Sequence, residues 1–369
     1  MKKSKLAITL LPLFLIFAIV LFFNSYEDES FINIPQKDKH RGVCWVAGPM
    51  EVNAAALETL VDHNVNWISQ TPFGWQRGFD NPEIGTNHKS RNETSRVWWG
   101  ERDEGIQTTT RMAKKAGIKT ILKPHLWLND KDGKWRGEIK MNSEADWKKW
   151  FEEYTNFILH YAKLAEEENI EMFCIGTELH QTCIERDEDW RLLISKIRKV
   201  YSGDLTYAAN FSDEYQDVRF WDELDYIGIQ AYFPLVKGEQ PSLEEVQEGW
   251  KSPIKALQKF SNKHKKPILF TEVGYKSTKD AGIEPWIWPS REGVGKRKNI
   301  HSEETQAVLY EGLFSEVWDQ PWLAGIHIWK WYPGDNTSNR RRQQEFNIDF
   351  TPQNKMAEDV ISDWFNKTK

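Results

Sequence analysis

Apolar, strand-like runs alternate with helical patterns along most of the chain, and this alternation constrains the fold more than any other feature. Eight such runs follow one another, with amphipathic segments between them. They cover residues 42–46, 65–70, 120–125, 172–177, 206–210, 226–231, 267–271 and 325–329. Because parallel strands need a crossover connection, this order predicts a parallel sheet wrapped by helices.

The segments between the strands carry helix signals. Ser242 and Glu245 form a capping-box pattern, and Ser302 is placed to cap a later helix. Apolar residues recur at three- and four-residue spacing most clearly over 146–168, which predicts one buried face. The predicted helices cover 53–63, 104–116, 146–168, 188–201, 242–263, 302–317 and 356–365.

This pattern favours an α/β fold of the (β/α)₈ TIM barrel type with extended βα loops, formed by residues 39–369. An open doubly wound sheet is the alternative, but no glycine-rich phosphate loop follows an early strand. The long connections 73–102 and 280–300 both follow strands. In a barrel they would rise from the catalytic face, and we expect them to form walls of a substrate cleft.

The N-terminus differs from the rest of the chain. Three lysines within the first five residues precede an apolar stretch over 6–23, which is close to the lower limit of about 17 residues for a bilayer span. We expect residues 1–26 to be a signal peptide or a signal anchor, and 27–38 to be a polar linker. The positive flank would stay inside, so the domain would be extracytoplasmic, either membrane-anchored or secreted.

Composition and charge narrow the possible partners. The formal net charge of −6 argues against a nucleic-acid surface, and a neutral polymer suits this balance better. The strand ends lack a cluster of His and Asp for a metal, so we expect neither a metal nor another cofactor. The sparse cysteines Cys44, Cys174 and Cys183 do not suggest a disulfide framework. We expect a monomer.

Two of the apolar runs lead directly to a glutamate, Glu178 after the fourth run and Glu272 after the seventh. A carboxylate at the end of a buried strand is costly to desolvate, so a chain that does this twice is predicted to use the pair. Glycoside hydrolysis requires two such carboxyl groups. Singly, either glutamate would more often be a cap or an ion-pair partner.

The remaining strand ends carry side chains that can hydrogen-bond to or stack on a sugar. Because the C-terminal ends of barrel strands converge, we predict that these residues contact the substrate: Trp45, Gln70, His125, Thr177, Asn210, Tyr232, Trp329 and Trp331. His125 could instead be a core histidine, and Asn210 could cap a turn. Most of the 19 tryptophans are predicted to be core, while those in loops or at strand ends are candidates for sugar stacking, including Trp75 and Trp127.

These motifs resemble clan A of the glycoside hydrolases, and most closely glycoside hydrolase family 113, over residues 39–369. The resemblance lies in Ile175-Gly-Thr-Glu178-Leu, Phe270-Thr-Glu272-Val-Gly-Tyr275, Ile328-Trp-Lys-Trp-Tyr332 and Arg41-Gly-Val-Cys-Trp45. It implies a retaining hydrolase of β-1,4-linked mannan or manno-oligosaccharides, most simply an endo-β-1,4-mannanase. It also implies Glu178 as acid/base, Glu272 as nucleophile, Tyr232 as a donor to the nucleophile, and Trp329 or Trp331 as the sugar platform.

Two positions depart from the clan pattern. Thr177 stands where most of the clan has the asparagine that binds the sugar 2-hydroxyl, and Gln230 stands where a histidine is common. The preference for mannose therefore stays open. A β-glucanase or exo-β-mannosidase on the same barrel, a non-catalytic carbohydrate-binding barrel, and a membrane-tethered module with a protein partner are the alternatives.

Overall fold

The computed structural model describes residues 32–86, 97–289, 300–334 and 340–367. Its strands are β1 (His40–Trp45), β2 (Trp67–Gln70), β3 (Phe73–Arg77), β4 (Ile84–Thr86), β5 (Lys119–Leu122), β6 (His125–Asn129), β7 (Met172–Thr177), β8 (Asp204–Asn210), β9 (Tyr226–Gln230), β10 (Ile268–Val273) and β11 (Leu323–Trp331). All except β3, β4 and β6 form a closed barrel of eight parallel strands, in which β1 pairs with both β2 and β11. Each predicted strand overlaps one of these eight, so the barrel prediction is confirmed.

The helices are α1 (Ala54–Asp62), α2 (Asp103–Lys115), α3 (Glu144–Glu167), α4 (His180–Glu185), α5 (Asp187–Ile197), α6 (Glu214–Asp217), α7 (Leu243–His264), α8 (Glu303–Val317), α9 (Arg340–Asn347) and α10 (Met356–Asn366). The predicted caps are present: Ser242 and Glu245 form a capping box on α7, and the Ser302 side chain accepts from Thr305 N on α8. Helices α4, α6 and α9 were not predicted.

Two apolar layers hold the barrel together. Inward-facing side chains from six strands form the interior cluster: Trp67, Ile121, Met172, Cys174, Ala208, Leu269 and Ala324. A larger layer joins the outer faces of the strands to the helices, and α3 contributes Trp150, Tyr154 and Phe157 to it. Strand alternation separates the two layers, because successive side chains point to opposite faces. The three cysteines are buried and free, in keeping with the absence of a disulfide framework that their small number suggested.

A small second sheet rises from the barrel with the strand order β4-β3-β6. Strand β3 follows β2 after Thr71 and Pro72, and β6 follows β5 after Lys123 and Pro124. Two barrel strands therefore continue, past a proline, into a parallel pair above the barrel mouth. The long connection after β2 was predicted to be a loop wall, and part of it is this sheet.

Among the residues that the structure describes, no helix is long and apolar enough to cross a membrane. The predicted signal segment over 1–26 lies outside the described residues, as do residues 27–31 of the polar linker predicted over 27–38. The prediction that the N-terminus is a membrane-targeting segment therefore stays a prediction.

Candidate active site

Glu272, in β10, has hydrogen-bond donors on both carboxylate oxygens and is only 4% exposed. The Tyr232 hydroxyl donates to Oε2 at 2.9 Å, and the Lys123 ammonium donates to Oε1 at 2.6 Å. His125 Nε2 lies 3.7 Å from the same Oε1. A carboxylate in such a donor-rich, water-poor setting is held in one orientation with its charge balanced.

Lys123 was not predicted from the sequence, although it is the closest charged neighbour of Glu272. Its side chain is fully buried, and its ammonium also donates to the Thr271 carbonyl at 3.0 Å. Burial alone would lower the pKa of Lys123, but the Cys44 and Glu272 side chains together raise that pKa above its ordinary value. The sequence feature that could have identified Lys123 as a site residue is its position at the end of an apolar strand, directly before Pro124.

Glu178 directly follows β7 with a left-handed backbone (φ +52°) and is 8% exposed. Asn210 Nδ2 donates to its Oε1 at 2.7 Å, and the Arg136 guanidinium lies 3.4 Å from its Oε2. Burial raises the pKa of Glu178 above its ordinary value, and the nearby Glu272 charge adds to this, whereas Arg136 and Asn210 oppose it. Glu178 is therefore biased towards the protonated form relative to an exposed glutamate.

A buried network behind Glu178 fixes the position of Asn210. The Glu214 carboxyl, fully buried in α6, accepts from Asn210 N at 2.7 Å and from the Tyr207 hydroxyl at 2.5 Å. The same Tyr207 oxygen accepts from Leu179 N at 2.7 Å. Burial raises the pKa of Glu214 to about 8. Through Tyr207 and Glu214, this network connects the backbone of Leu179, next to Glu178, to Asn210, which donates to the Glu178 carboxylate.

Five of the predicted site residues lie together at the barrel mouth: Glu178, Glu272, His125, Asn210 and Tyr232. Burial, followed by Lys123 and Arg136, holds the pKa of His125 well below its usual range, so the ring is neutral. Trp329, in β11, is half-buried and packs edge-on against Trp288, with 6.5 Å between ring centroids. Thr177 is also at this end with its hydroxyl oxygen buried, and its contact with the sugar stays a prediction.

Three predicted sugar contacts are on the wrong face of the barrel. Gln70 Nε2 donates to Thr110 Oγ1 of α2 at 2.8 Å. Trp331 packs on the ring of His63, at the end of α1, with 5.5 Å between centroids. Trp45 lies in the apolar layer between strands and helices. In β1 and β2 the residues one position earlier point inward: Cys44 Sγ contacts the Thr271 carbonyl and Ser69 Oγ contacts His327.

A comparison of the sequence with models of known protein families identifies a glycoside hydrolase family, in agreement with the two buried glutamates at the barrel mouth. The model of Glycoside Hydrolase Family 113 matches residues 48–366. The chain belongs to glycoside hydrolase family 113. The match includes both Glu178 and Glu272, and it confirms the family that the strand-end motifs indicated. Among curated proteins, no sequence matches the chain significantly.

Solved structures of family members share the whole fold. The GH113 β-mannanase AaManA from Alicyclobacillus acidocaldarius, in complex with ManMIm, is 27% identical, with a TM-score of 0.73 over 92% of this chain and 100% of that one. A second GH113 β-1,4-mannanase is 24% identical, with a TM-score of 0.71 over 89% of this chain and 99% of that one.

More distant enzymes share the fold alone. A β-glucuronidase from Ruminococcus gnavus, 13% identical with a TM-score of 0.55, shares the fold over 89% of this chain and 50% of its own length.

Proposed function

We propose that this family 113 glycoside hydrolase cleaves β-1,4-linked mannan or manno-oligosaccharides by double displacement with retention of configuration. The observation that carries the mechanism is the contrast between its two buried glutamates. Glu272 is paired with the Lys123 ammonium at 2.6 Å, whereas the nearest cation to Glu178, Arg136, is 3.4 Å away and the pKa of Glu178 is raised by burial and by Glu272. Two neighbouring carboxyl groups with different environments are what an acid and a nucleophile require.

In the first step Glu178 donates its proton to the glycosidic oxygen of the leaving sugar. Glu272 attacks the anomeric carbon, the bond from that carbon to the leaving oxygen breaks, and a glycosyl ester of Glu272 forms. Tyr232 and Lys123 orient the attacking carboxylate through the hydrogen bonds at 2.9 and 2.6 Å. The neutral His125, 3.7 Å from Glu272, is positioned to bind a sugar hydroxyl.

In the second step the same glutamates exchange tasks. Once Glu272 is an ester its negative charge is gone, so one of the causes that raise the pKa of Glu178 disappears, while Arg136 and Lys123 still lower it. Glu178 can then accept a proton from water. The resulting hydroxyl attacks the anomeric carbon, the ester bond breaks, and Glu272 returns as a carboxylate paired with Lys123.

The choice of mannan rests on relatives of modest identity, both of which are β-mannanases by name. A screen of the domain on β-mannan, cello-oligosaccharides and xylo-oligosaccharides tests it, with Glu272→Ala as the inactive control. Release of manno-oligosaccharides by the wild type alone supports the proposal. Cleavage of cello-oligosaccharides only would favour the β-glucanase alternative, for which Thr177, in place of the clan's asparagine, is the relevant departure.

Arg136 offers a test of the acid role of Glu178. Its guanidinium lowers the pKa of Glu178, so Arg136→Met should raise that pKa further. Because the first step needs protonated Glu178, the alkaline limb of kcat/KM should move to higher pH. The measurement is the pH profile on a manno-oligosaccharide. Arg136→Lys keeps the charge and should stay close to the wild type, and an alkaline limb moved to lower pH by Arg136→Met would contradict the assignment.

We also propose an extracytoplasmic location. A polysaccharide substrate is too large to diffuse through a bilayer, and the basic and apolar residues before 24 suit a signal or anchor. Fractionation of cells that express the full chain should recover the protein from the membrane or the medium, with the domain accessible to added protease. Recovery in the cytosol alone would contradict this proposal.

A further inference from the structure

The outer face of the small sheet carries an unusual group of aromatic side chains. In the parallel pair β3 and β6, Phe73 lies opposite His125 and Trp75 lies opposite Trp127. The two indoles are 41% and 49% exposed, with ring centroids 6.1 Å apart. The Phe73 ring lies 6.3 Å from Trp75 and 6.2 Å from Trp127. We call Phe73, Trp75 and Trp127 the aromatic face.

The opposite face of this sheet is anchored on α3, so the aromatic face cannot turn inward. Gln76 is fully buried, and its Oε1 accepts from Trp150 Nε1 at 2.9 Å. Gly74 packs so closely that a Cβ there would lie 3.0 Å from the Phe157 ring. The exposure of the two indoles is therefore imposed by the backbone and by strand alternation. Large exposed apolar side chains held rigidly in a group mark binding surfaces.

The aromatic face is continuous with the catalytic pair. The Phe73 ring packs edge-on against His125, with 5.4 Å between centroids, and His125 lies 3.7 Å from Glu272 Oε1. From this pair, one two-residue step along the strands, about 6.6 Å, leads to the two indoles. A further step leads to the exposed polar residues Arg77 and Asn129. A step of this size is comparable to the length of one pyranose unit in a glycan chain.

We propose that the aromatic face is an extended sugar-binding subsite, on which pyranose rings one or two units away from the cleaved bond stack, with Arg77 and Asn129 available to their hydroxyl groups. This inference rests on the proposed β-glycan substrate. Pyranose rings present apolar C–H faces that suit indole, and polar edges that suit a charged or amide rim. A stable protein partner would need an interface of about 1,200 Å² or more, far larger than two indoles and a phenyl ring supply.

The test is a comparison of chain lengths in the double variant Trp75→Ala/Trp127→Ala. For the shortest manno-oligosaccharide that the wild type cleaves, kcat/KM should stay within about two-fold, because a short substrate does not reach the indoles. For mannohexaose and polymeric mannan, kcat/KM should fall about ten-fold or more, mainly through KM, because stacking contributes equally to ground and transition states. The double variant Trp75→Phe/Trp127→Phe should recover much of the loss.

Two further measurements separate a loss of sugar binding from a loss of folding. Thermal unfolding of each variant should match the wild type, because exposed indoles contribute little to the core. Affinity electrophoresis of the inactive Glu272→Ala protein in gels containing β-mannan should show retardation that the added tryptophan substitutions abolish. If the wild type cleaves mannan but both tryptophan variants keep its full chain-length dependence, the subsite is overturned and the proposed function stands. If no β-glycan is cleaved, the proposed function fails by itself.

Discussion

Glu272→Ala is expected to lose hydrolysis of the best β-glycan substrate by about 10⁴-fold or more, because no other group can attack the anomeric carbon. Because the substitution leaves Lys123 buried without its anion, it should also cost about 3–5 kcal/mol of stability, so thermal unfolding must first show that the variant is folded at the assay temperature. The measurement is kcat on an activated aryl glycoside. Added azide should partly restore cleavage, because the small anion can occupy the space of the missing carboxylate.

The product of that rescue makes the prediction specific. Azide attacking from the Glu272 side should yield the α-glycosyl azide from a β-glycoside, which NMR distinguishes from the β form. Glu168→Ala is the matched control. Like Glu272, Glu168 is buried and paired with a basic side chain, in this case Arg111, but it lies outside the barrel mouth. Retention of a tenth of wild-type activity by Glu272→Ala would contradict the nucleophile assignment.

Lys123→Met is also expected to lose most of the activity, although the lysine takes no part in bond making. The substitution leaves the Glu272 carboxylate buried without its cation, and breaking a buried pair costs about 3–5 kcal/mol of stability. The carboxylate would also lose the donor that orients its Oε1, so kcat should fall by about 10²–10³-fold. Thermal unfolding measures the loss of stability, and kcat at saturating substrate measures the loss of activity.

The double variant Lys123→Met/Glu272→Gln separates charge balance from catalysis. It removes both charges with little change of shape, so it should be more stable than Lys123→Met alone while remaining inactive. A Lys123→Met protein with wild-type kcat would show that the ion pair does not serve the reaction.

The barrel could be predicted because its signal is repeated in nearly every unit. Seven of the eight strand-like runs were followed by a predicted helix, and local caps such as Ser242 and Ser302 marked helix starts. The two glutamates could also be found, because a charged residue beside a buried strand is a local feature of the sequence. These parts of the account need no knowledge of which residues meet across the barrel.

Side-chain direction at the strand ends was harder to predict. Trp45, Gln70 and Trp331 terminate strands, as site residues should, but an error of one residue in the alternation moves a side chain to the opposite face. Lys123 and Arg136 escaped prediction for another reason. Their partners Glu272 and Glu178 are distant in the chain, so only the closed barrel brings the charges together.

The small sheet that carries the aromatic face was also missed. Strands β3 and β6 follow barrel strands after Pro72 and Pro124, whereas the predicted strands ended at residues 70 and 125 and the segment from residue 73 was predicted to be a long connection. The sequence did single out Trp75 and Trp127 as candidates for stacking. Only the register of the two strands places the two indoles side by side.

Trapping the glycosyl-enzyme tests the central claim most directly. A 2-deoxy-2-fluoro glycosyl fluoride of the cleaved sugar slows both steps but carries a good leaving group, so the ester intermediate should accumulate. Intact-protein mass spectrometry should show one added fluoroglycosyl unit, peptide mapping should place it on Glu272, and NMR of the wild-type reaction should show the β anomer released first. An unlabelled protein that releases the α anomer, or a label on another residue, would contradict the account.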